Sequence, residues 1–273
     1  MEINDYIRKE RLPFIWCPGC GNGTILKAIL TAIKDLDYTN DDVILVSGIG
    51  CSSRAPMYTT FDNVHSLHGR AIPLATAIKL ARPSKKVIVI TGDGDSLAIG
   101  GNHLIHAARR NVDLTVIIFN NSIYGMTGGQ ISPLTPLNKK GTTAQFGNIE
   151  NTFDTMKLLD GAGATYIARS GTYFFPQTVK YIKAGIIHEG FSVIEVVTQC
   201  PVYYGRFNKE KSPGEMLLWQ KENMVSFDKA KNLTEDELLN KRIFGEFVNI
   251  EKESFIQKRS KLIERVMSDE NRG

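Results

Sequence analysis

Short apolar runs alternate with longer amphipathic segments along most of the chain. The apolar runs are rich in β-branched and aliphatic residues and have the length of strands that are buried on both faces of a parallel sheet. They are Val43–Ser47, Val87–Thr91, Leu114–Asn120 and Ser192–Thr198, with Thr165–Arg169 as a further candidate. Between them, helical periodicity predicts helices over Thr24–Leu36, Arg70–Ala81, Leu97–Arg110 and Gln177–His188. This alternation predicts βαβ units, and therefore an α/β fold with a doubly wound, mostly parallel sheet.

Two regions depart from the alternation. The segment from Asn121 to Asn148 is a long loop rich in Gly, Thr, Ser and Pro, and loops of that length are usually functional or disordered. Beyond Phe207, charged helical patterns replace the strands, with a capping-box pattern at Thr234–Glu237. We therefore expect an α/β domain over residues 1–206 that carries the chemistry, and a helical C-terminal arm over residues 207–273 with no further strand.

Composition and charge narrow the classes of function. With 273 residues, of which 42% are hydrophobic and 23% charged, the chain resembles an ordinary globular protein. Its net charge of +4 is too small to indicate a nucleic-acid partner. The first residues, MEINDYIRKE, show no secretory signal, and no apolar run is long enough to span a membrane. We therefore expect a cytoplasmic protein without membrane or nucleic-acid partners, in which a structural disulfide is disfavoured.

Polar motifs follow two of the predicted strands. Val87–Thr91 runs into the turn Gly92–Gly94, and the next strand ends in Asn120 and Asn121. In a parallel sheet these strand ends lie at one edge, where ligands bind. The glycines permit a tight turn, and the start of the following helix can receive a phosphate group. Asp93, an asparagine amide oxygen and a nearby carbonyl would then supply the hard oxygen ligands that Mg²⁺ accepts beside phosphate oxygens.

Two common nucleotide motifs are absent from this turn. GDGDSLAIGG lacks the glycine order of a dinucleotide-binding turn, because Leu97 stands where a glycine is needed, and it lacks the Gly-Lys-Ser/Thr of a P-loop. Instead, GDG followed by the asparagine pair resembles the motif of the thiamin diphosphate enzymes. That resemblance implies thiamin diphosphate as a cofactor, with Mg²⁺ bound by Asp93, Asn121 and the main-chain carbonyl of Ile123.

The four cysteines of the chain are all predicted near the same edge of the sheet. Cys17 and Cys20 lie in WCPGCGNG before the first helix, Cys51 follows the first strand, and Cys200 follows the last one. By count, four thiolates suit tetrahedral zinc and a [4Fe–4S] cluster equally well. One CxxC with two distant cysteines is less usual for structural zinc, and a redox-active CxxC would not need the other two.

Together these pieces resemble the β subunit of the 2-oxoacid:ferredoxin oxidoreductases, most strongly the 2-oxoglutarate enzymes. The resemblance covers most of the chain and rests on WCPGCGNG, SGIGCSS, HSLHGRAIPLATAIKLARP, GDGDSLAIGGNHLIHAARRN, NNSIYGMTGGQISPLTP and TQCP. It implies that Cys17, Cys20, Cys51 and Cys200 bind a [4Fe–4S] cluster. It also implies that 2-oxoglutarate is decarboxylated to succinyl-CoA and CO₂, with coenzyme A as co-substrate and electrons passing through the cluster to ferredoxin. The expected partner is an α subunit that supplies the pyrimidine-binding domain, with γ and ferredoxin-like subunits as further candidates.

The same likeness indicates residues of the cofactor and substrate pocket. Arg54 is expected to bind the distal carboxylate of 2-oxoglutarate, and His68 to face the substrate. The alternatives are a surface or interface role for Arg54 and a helix-start role for His68. Asp95 and Ser96 either cap the following helix or reach the diphosphate. Further cofactor contacts are expected from Gly48, Ile49, Gly50, Ser52, Gly92, Gly94, Tyr124, Gly125, Met126 and Thr127.

Two other functions stay open at this point. One is the same chemistry on pyruvate or another 2-oxoacid. The other is a zinc-bearing subunit that has no catalytic activity, against which the intact Asp93 and Asn121 argue.

Overall fold

The structure, a computed structural model, describes residues 2–210, 212–239 and 241–270. In these ranges the strands are β1 Val43–Ser47, β2 Asp62–His65, β3 Lys86–Gly92, β4 Leu114–Asn120, β5 Ile123–Tyr124, β6 Gln130–Ile131, β7 Tyr166–Gly171, β8 Phe191–Val197, β9 Met224–Ser226 and β10 Arg242–Asn249. The α-helices are α1 Asn22–Asp35, α2 Ala71–Ala81, α3 Gly101–Arg110, α4 Thr155–Ala162, α5 Phe175–Ile187, α6 Pro213–Asn223, α7 Phe227–Ala230, α8 Glu235–Leu238 and α9 Phe255–Glu270. None of the helices in these ranges has both the length and the apolar character that crossing a bilayer requires.

In the part of the chain that the structure describes, the main sheet has eight strands in the order β2-β1-β3-β4-β8-β7-β10-β9. The strands from β2 to β7 in this order run parallel to their neighbours. The central strands β4 and β8 are buried at every position, as expected for strands with helices on both faces. The predicted α/β fold with a doubly wound, mostly parallel sheet is confirmed.

Alternate residues of the strands contribute to two separate cores. Ile88 and Ile90 of β3 belong to the core that is shared with α1 and α5. Val87 and Val89 of the same strand belong to the core that is shared with α2, α3 and α4. This period of two follows from the pleat of a strand, whose side chains point to opposite faces in turn. The helices on both faces leave the carboxyl edge of the sheet as the place where loops can form a site.

The predicted strands and helices agree with the structure to within a few residues, and β1 and β4 have the predicted bounds. One helix differs at its start. The helix predicted from Leu97 begins instead as a π-helical turn, Asp95–Ile99, and α3 starts only at Gly101. Such wider turns concentrate at functional sites, and this one carries Asp95 and Ser96 at the sheet edge.

The expectation that the C-terminal arm has no strand is wrong. β10 pairs antiparallel with β7, and β9 pairs parallel with β10, so residues beyond 206 extend the sheet. The pairing register of β10 shifts between Glu246 and Val248, and Gly245 has a φ of +147°. This β-bulge breaks the alternation of apolar and polar residues, which is why RIFGEFVN gives a weak strand signal. The capping box of Thr234 and Glu237 is confirmed at the start of α8.

Candidate functional site

A cavity of about 170 Å³ lies at the carboxyl edge of the sheet, beside the ends of β1, β3 and β4. Its walls come mostly from the loops after these strands, and they comprise Asn22, Ile49, Gly50, Cys51, Ser52, His68, Gly92, Asp93, Gly94, Asp95, Phe119, Asn121, Ile123, Tyr124, Gly125, Met126 and Thr127. A larger cavity of about 390 Å³ shares Asn121 with it, but neither Asp93 nor any cysteine lines that space. The smaller cavity therefore collects the three predicted magnesium ligands in one place.

Asp93, in the turn after β3, is almost fully buried. Burial raises the pKa of its carboxyl group to about 7, although hydrogen bonds from the Ser132 hydroxyl and the backbone oppose the rise. The Ser132 hydroxyl donates to Oδ2 of Asp93, so a distant part of the long loop orients this carboxylate. A cation beside Asp93 would favour the charged form, because an opposite charge lowers the pKa of a carboxyl group. The buried carboxylate is therefore suited to a metal ion.

Asn120 ends β4, and Asn121 begins a sharp turn. Oδ1 of Asn120 accepts from the backbone N–H of Ser122 at 3.1 Å, and Oδ1 of Asn121 accepts from the N–H of Ile123 at 3.1 Å. Ser122 has a φ of +59°, a left-handed conformation that a serine keeps only where its surroundings support it. Part of that support is the Thr135 hydroxyl, which donates to the Ser122 carbonyl at 2.6 Å. The turn brings the amide and the following main chain into the cavity wall.

Asp95 connects the loop after β2 with the end of β3 through its buried carboxylate. Its Oδ1 lies 2.6 Å from Nδ1 of His68 and accepts from the N–H of Gly69 at 2.6 Å, while Oδ2 accepts from the Thr91 hydroxyl at 2.8 Å. Gly48 is essential to this packing, since a Cβ there would lie 2.0 Å from Oδ2 of Asp95. Because a carboxylate accepts hydrogen bonds, Nδ1 of His68 is the donor in this contact. Nε2 is then the ring nitrogen left for a ligand.

The segments that carry the cysteines are tied together by specific side-chain contacts. Nε1 of Trp16 donates to the carbonyl of Cys51 at 2.7 Å, and Nε2 of Gln199 donates to the carbonyl of Gly19 at 3.1 Å. Gly21 packs closely on the segment before Cys200: a Cβ on Gly21 would lie 2.1 Å from the hydroxyl oxygen of Thr198. These contacts hold the CxxC loop beside the segments that carry Cys51 and Cys200.

All four cysteines are free thiols, and Cys17 is exposed. Burial, together with the neighbouring thiols of Cys200, Cys20 and Cys17, raises the pKa of Cys51 to about 11. Burial likewise raises the pKa of Cys20 and of Cys200. The thiols of Cys20, Cys51 and Cys200 are therefore protonated at neutral pH unless a metal centre draws off their protons. Within the described ranges, no three His, Cys, Asp or Glu side chains are grouped so as to hold a metal ion directly.

Gly125 lies close to two of the thiols and to the predicted metal-binding turn. A Cβ on Gly125 would lie 3.5 Å from Sγ of Cys51, 3.6 Å from Sγ of Cys200 and 3.9 Å from Nδ2 of Asn121. The absence of a side chain leaves a space that two thiols and one predicted metal ligand surround. Two thiols and the side chain of one predicted magnesium ligand thus border the same space, which is compatible with an iron–sulfur cluster beside a magnesium diphosphate.

Three of the residues predicted for the cofactor and substrate pocket do not line the smaller cavity, namely Gly48, Arg54 and Ser96, and neither do Cys17, Cys20 and Cys200. Gly48 acts instead by admitting the Asp95 carboxylate, and the Ser96 hydroxyl donates to the Gly92 carbonyl at 2.8 Å. Asp95 is bound to neighbouring loops rather than serving as a helix cap. Nε of Arg54 is buried without a hydrogen-bond partner, and its positive charge opposes the rise in the pKa of the Cys51 thiol.

Sequence reasoning missed several residues that build the site. Asn22 and Phe119 line the cavity, Ser132 binds the predicted metal ligand, and Trp16 and Gln199 dock the thiol segments. Most of these residues lie inside the quoted motifs, so the motifs could have singled them out. Their contacts could not be predicted, because each contact joins residues that are far apart along the chain.

Comparisons with known proteins agree with this geometry. Residues 48–196 match the family described as thiamine pyrophosphate enzyme, C-terminal TPP binding domain. The chain is 55% identical to the 2-oxoglutarate synthase subunit KorB of Methanocaldococcus jannaschii, over 97% of this chain and 98% of that protein. It is 46% identical to the subunit KorB of Archaeoglobus fulgidus, over 99% of this chain and 98% of the relative.

A solved structure is also similar over nearly the whole chain. It is the 2-oxoglutarate:ferredoxin oxidoreductase from Magnetococcus marinus with 2-oxoglutarate, coenzyme A and succinyl-CoA bound. The TM-score is 0.86 at 31% sequence identity, and the match covers 97% of this chain and 91% of that chain. The chain therefore belongs to the thiamine pyrophosphate enzymes, and among them to the family of the 2-oxoglutarate synthase KorB subunits.

Proposed function

We propose that this chain is the thiamin-diphosphate-binding β subunit of a 2-oxoglutarate:ferredoxin oxidoreductase, which converts 2-oxoglutarate and coenzyme A into succinyl-CoA and CO₂. One observation carries the proposal. The same cavity edge holds Asp93, Asn121 and Cys51, and Gly125 places two thiols next to the metal-binding turn. Similarity to KorB subunits over almost the whole chain supports 2-oxoglutarate as the substrate.

Asp93, Asn121 and the Ile123 carbonyl would hold Mg²⁺ and, through it, the diphosphate. Their contacts support this role, because Ser132 orients the carboxylate and the left-handed turn at Ser122 presents the other two ligands. Cys17, Cys20, Cys51 and Cys200 would hold the [4Fe–4S] cluster. When bound, thiamin diphosphate supplies an electron sink for decarboxylation and the cluster accepts electrons singly.

The residues around the cavity bind, orient and exclude water. Thr127 fixes the loop beyond Gly125, since its hydroxyl donates to Oε1 of Gln130 at 2.6 Å. His68 is held by Asp95, which leaves its Nε2 for a reacting carboxylate or a proton. Arg54 has a buried Nε without a partner, and a guanidinium in that state gains most from an anion. We therefore assign it the distal carboxylate of 2-oxoglutarate, a group that pyruvate lacks.

A partner is part of this proposal. Thiamin diphosphate enzymes need a second α/β domain with a glutamate against the aminopyrimidine, and the described residues form one sheet of that kind. An α subunit would supply it, with γ and ferredoxin-like subunits as further components, ferredoxin as electron acceptor, and the cytoplasm as the location.

The test is anaerobic co-purification of the chain with its co-expressed partner subunits. We expect viologen reduction that depends on both 2-oxoglutarate and coenzyme A, together with bound iron and sulfide. The isolated chain should show little or none of this activity. Full activity from the isolated chain would contradict the need for an α subunit. Zinc without iron or sulfide would instead favour the non-catalytic alternative, and equal rates on pyruvate would remove the substrate assignment.

A further inference from the structure

A charged cluster lies inside the sheet, next to the predicted metal-binding turn. Glu195 is 1% exposed in the middle of β8, a strand whose other residues are apolar or small. Nε of Arg169 lies 3.0 Å from Oε1 of Glu195, and Nη2 lies 3.5 Å from Oε2. The two residues are register partners on the neighbouring strands β7 and β8. A carboxylate in this position is costly to bury unless it is paired and hydrogen-bonded.

On its other side, Glu195 contacts the first asparagine of the turn. Nδ2 of Asn120 donates to Oε1 of Glu195 at 2.9 Å. An amide group has its nitrogen and its oxygen on opposite sides, so fixing Nδ2 against the carboxylate also fixes where Oδ1 points. That oxygen accepts from the backbone N–H of Ser122 at 3.1 Å and lies 3.2 Å from its hydroxyl. The Glu195 carboxylate thus determines that the amide oxygen of Asn120, rather than its nitrogen, faces Ser122.

The Ser122 conformation depends on this support. A left-handed backbone conformation is unfavourable for a serine, so it persists only where the surrounding contacts support it. The N–H of Ser122 is bound by Asn120, and the carbonyl of Ser122 is bound by the Thr135 hydroxyl. The reversal of the chain at Ser122 is what brings Asn121 and Ile123 to the cavity wall. Loss of the asparagine contact would remove half of what holds this turn.

We propose that Glu195 is a positioning residue that fixes the Asn120 amide, so that the left-handed Ser122 turn presents Asn121 and Ile123 to Mg²⁺. The inference rests on the proposed function, because it concerns the same magnesium diphosphate site. Glu195 does not line that cavity and is not part of the predicted metal-binding turn. It would act on the turn only through its hydrogen bond with Asn120.

The charge state of Glu195 is consistent with this role. Burial raises the pKa of its carboxyl group, but the guanidinium groups of Arg169 and Arg242 and the hydrogen bond from Asn120 outweigh burial and lower it overall. Glu195 is therefore ionised at neutral pH, and its carboxylate can only accept a hydrogen bond from Asn120. That requirement is why the Nδ2 end of the amide, which is a donor, faces the carboxylate.

A second ion pair, with a buried lysine and a partly buried aspartate, provides a control. Nζ of Lys79 lies 2.7 Å from Oδ2 of Asp113, with side-chain exposures of 3% and 19%. Asp113 immediately precedes β4, whereas Asn120 ends it, so this pair sits at the opposite end of the same strand. A purely structural effect of losing a buried charge should appear at both places. An effect on magnesium binding should appear only at Glu195.

The experiment uses the anaerobically purified complex of this chain with its partner subunits, and the variants Glu195→Gln and Asp113→Asn. Mg²⁺ is titrated at fixed thiamin diphosphate, and the cofactor retained after desalting is measured, alongside the unfolding midpoint without Mg²⁺. We expect Glu195→Gln to raise the half-saturating Mg²⁺ concentration about tenfold, the lower end of the effect of residues that orient metal ligands. Asp113→Asn should leave that concentration within about twofold of the wild type, while both variants lower the midpoint.

An unchanged half-saturating concentration in Glu195→Gln, with a midpoint lowered as in Asp113→Asn, would overturn the inference. If Glu195→Gln does not assemble, Asn120→Ala replaces it and must show the same rise in half-saturating Mg²⁺; no rise would again overturn it. The proposed function has a separate outcome. If the wild-type complex retains thiamin diphosphate without any dependence on Mg²⁺, it is the proposed site, rather than the role of Glu195, that fails.

Discussion

Gly21 sets the spacing between the CxxC loop and the segment before Cys200, and Gly21→Ala tests whether this packing assembles the four thiols. A Cβ on Gly21 would lie 2.1 Å from Oγ1 of Thr198, 2.7 Å from Cγ2 of Thr172 and 2.9 Å from Oε1 of Gln199. These atoms follow two different strands, β7 and β8. No rotation of a single side chain can therefore make room for the added methyl group.

The structure sets the size of the effect. Real Cβ atoms are essentially never closer than 3.0 Å to such neighbours, so the contact with Thr198 must open from 2.1 Å to at least that distance. Overpacking of this kind costs about 1–3 kcal/mol. If the strain is relieved by moving the loop that carries Cys17 and Cys20 outward, it weakens binding of the proposed cluster, and about 1–3 kcal/mol corresponds to about 5- to 150-fold in affinity.

The assay measures iron and sulfide per β chain in the anaerobically purified complex, together with the unfolding midpoint. Gly23→Ala is the matched control, because the nearest atom to a Cβ there is Cε3 of Trp16 at 4.0 Å. Gly23 also lies within α1, where replacing glycine by alanine is worth about 0.5–1 kcal/mol of stability. We expect Gly21→Ala to lose iron and sulfide, and Gly23→Ala to keep both.

Iron and sulfide contents in Gly21→Ala equal to those of Gly23→Ala would refute the reasoning. The CxxC loop would then tolerate an outward shift, and the close packing on Thr198 would have no role in placing the thiols. A lower midpoint with full iron content leads to the same conclusion, because the strain would have been absorbed elsewhere in the fold.

Four further predictions follow from single contacts. Ser132→Ala removes the hydroxyl that binds Asp93, so the half-saturating Mg²⁺ concentration for cofactor retention should rise about tenfold; an unchanged value contradicts the role of Ser132. Arg54→Ala should lower kcat/KM for 2-oxoglutarate about a hundredfold, as loss of a buried charge partner does, and lower it less for pyruvate; equal losses would show that Arg54 does not read the distal carboxylate. Gly125→Ala places a methyl group at ordinary contact distance from two thiols and an amide, so the chain should fold but lose both iron and Mg²⁺-dependent cofactor retention; loss of one alone would show that the two centres are independent. In the folded protein, burial lowers the pKa of His188 below 6.5, so the unfolded chain binds a proton first as the pH falls, and the free energy of unfolding should decrease below about pH 6.5. His188→Gln should weaken this dependence, measured as unfolding midpoints at about pH 8 and about pH 5.5.

The sequence could predict the central sheet because its strands are buried on both faces. Uninterrupted apolar runs such as Leu114–Asn120 have no other stable environment in a chain of this size. The same reasoning failed for Arg242–Asn249, an antiparallel strand near the edge of the sheet whose bulge disturbs the period of two. Strand prediction therefore succeeded where burial alone decides, and failed where pairing with a distant strand decides.

The site could be predicted in its location but not in its supporting contacts. Parallel strands bring their carboxyl ends to one edge, so a motif that follows a strand can be placed without any coordinates. The contact of Ser132 with Asp93 could not be foreseen, because it depends on how a long loop folds back. Glu195 did carry a visible signal, since a carboxylate inside an apolar strand requires a buried partner.

The order of the strands explains why the proposed magnesium and cluster sites would share this edge. β3 and β4, whose ends carry Asp93 and Asn121, lie between β1 and β8, whose ends lead to Cys51 and Cys200. The loops that carry the two distant cysteines therefore start on either side of β3 and β4, and both sulfur atoms come close to Gly125. A side chain at Gly125 would fill the space that these two thiols share with the amide of Asn121, so glycine is favoured where the loops from β1, β4 and β8 meet.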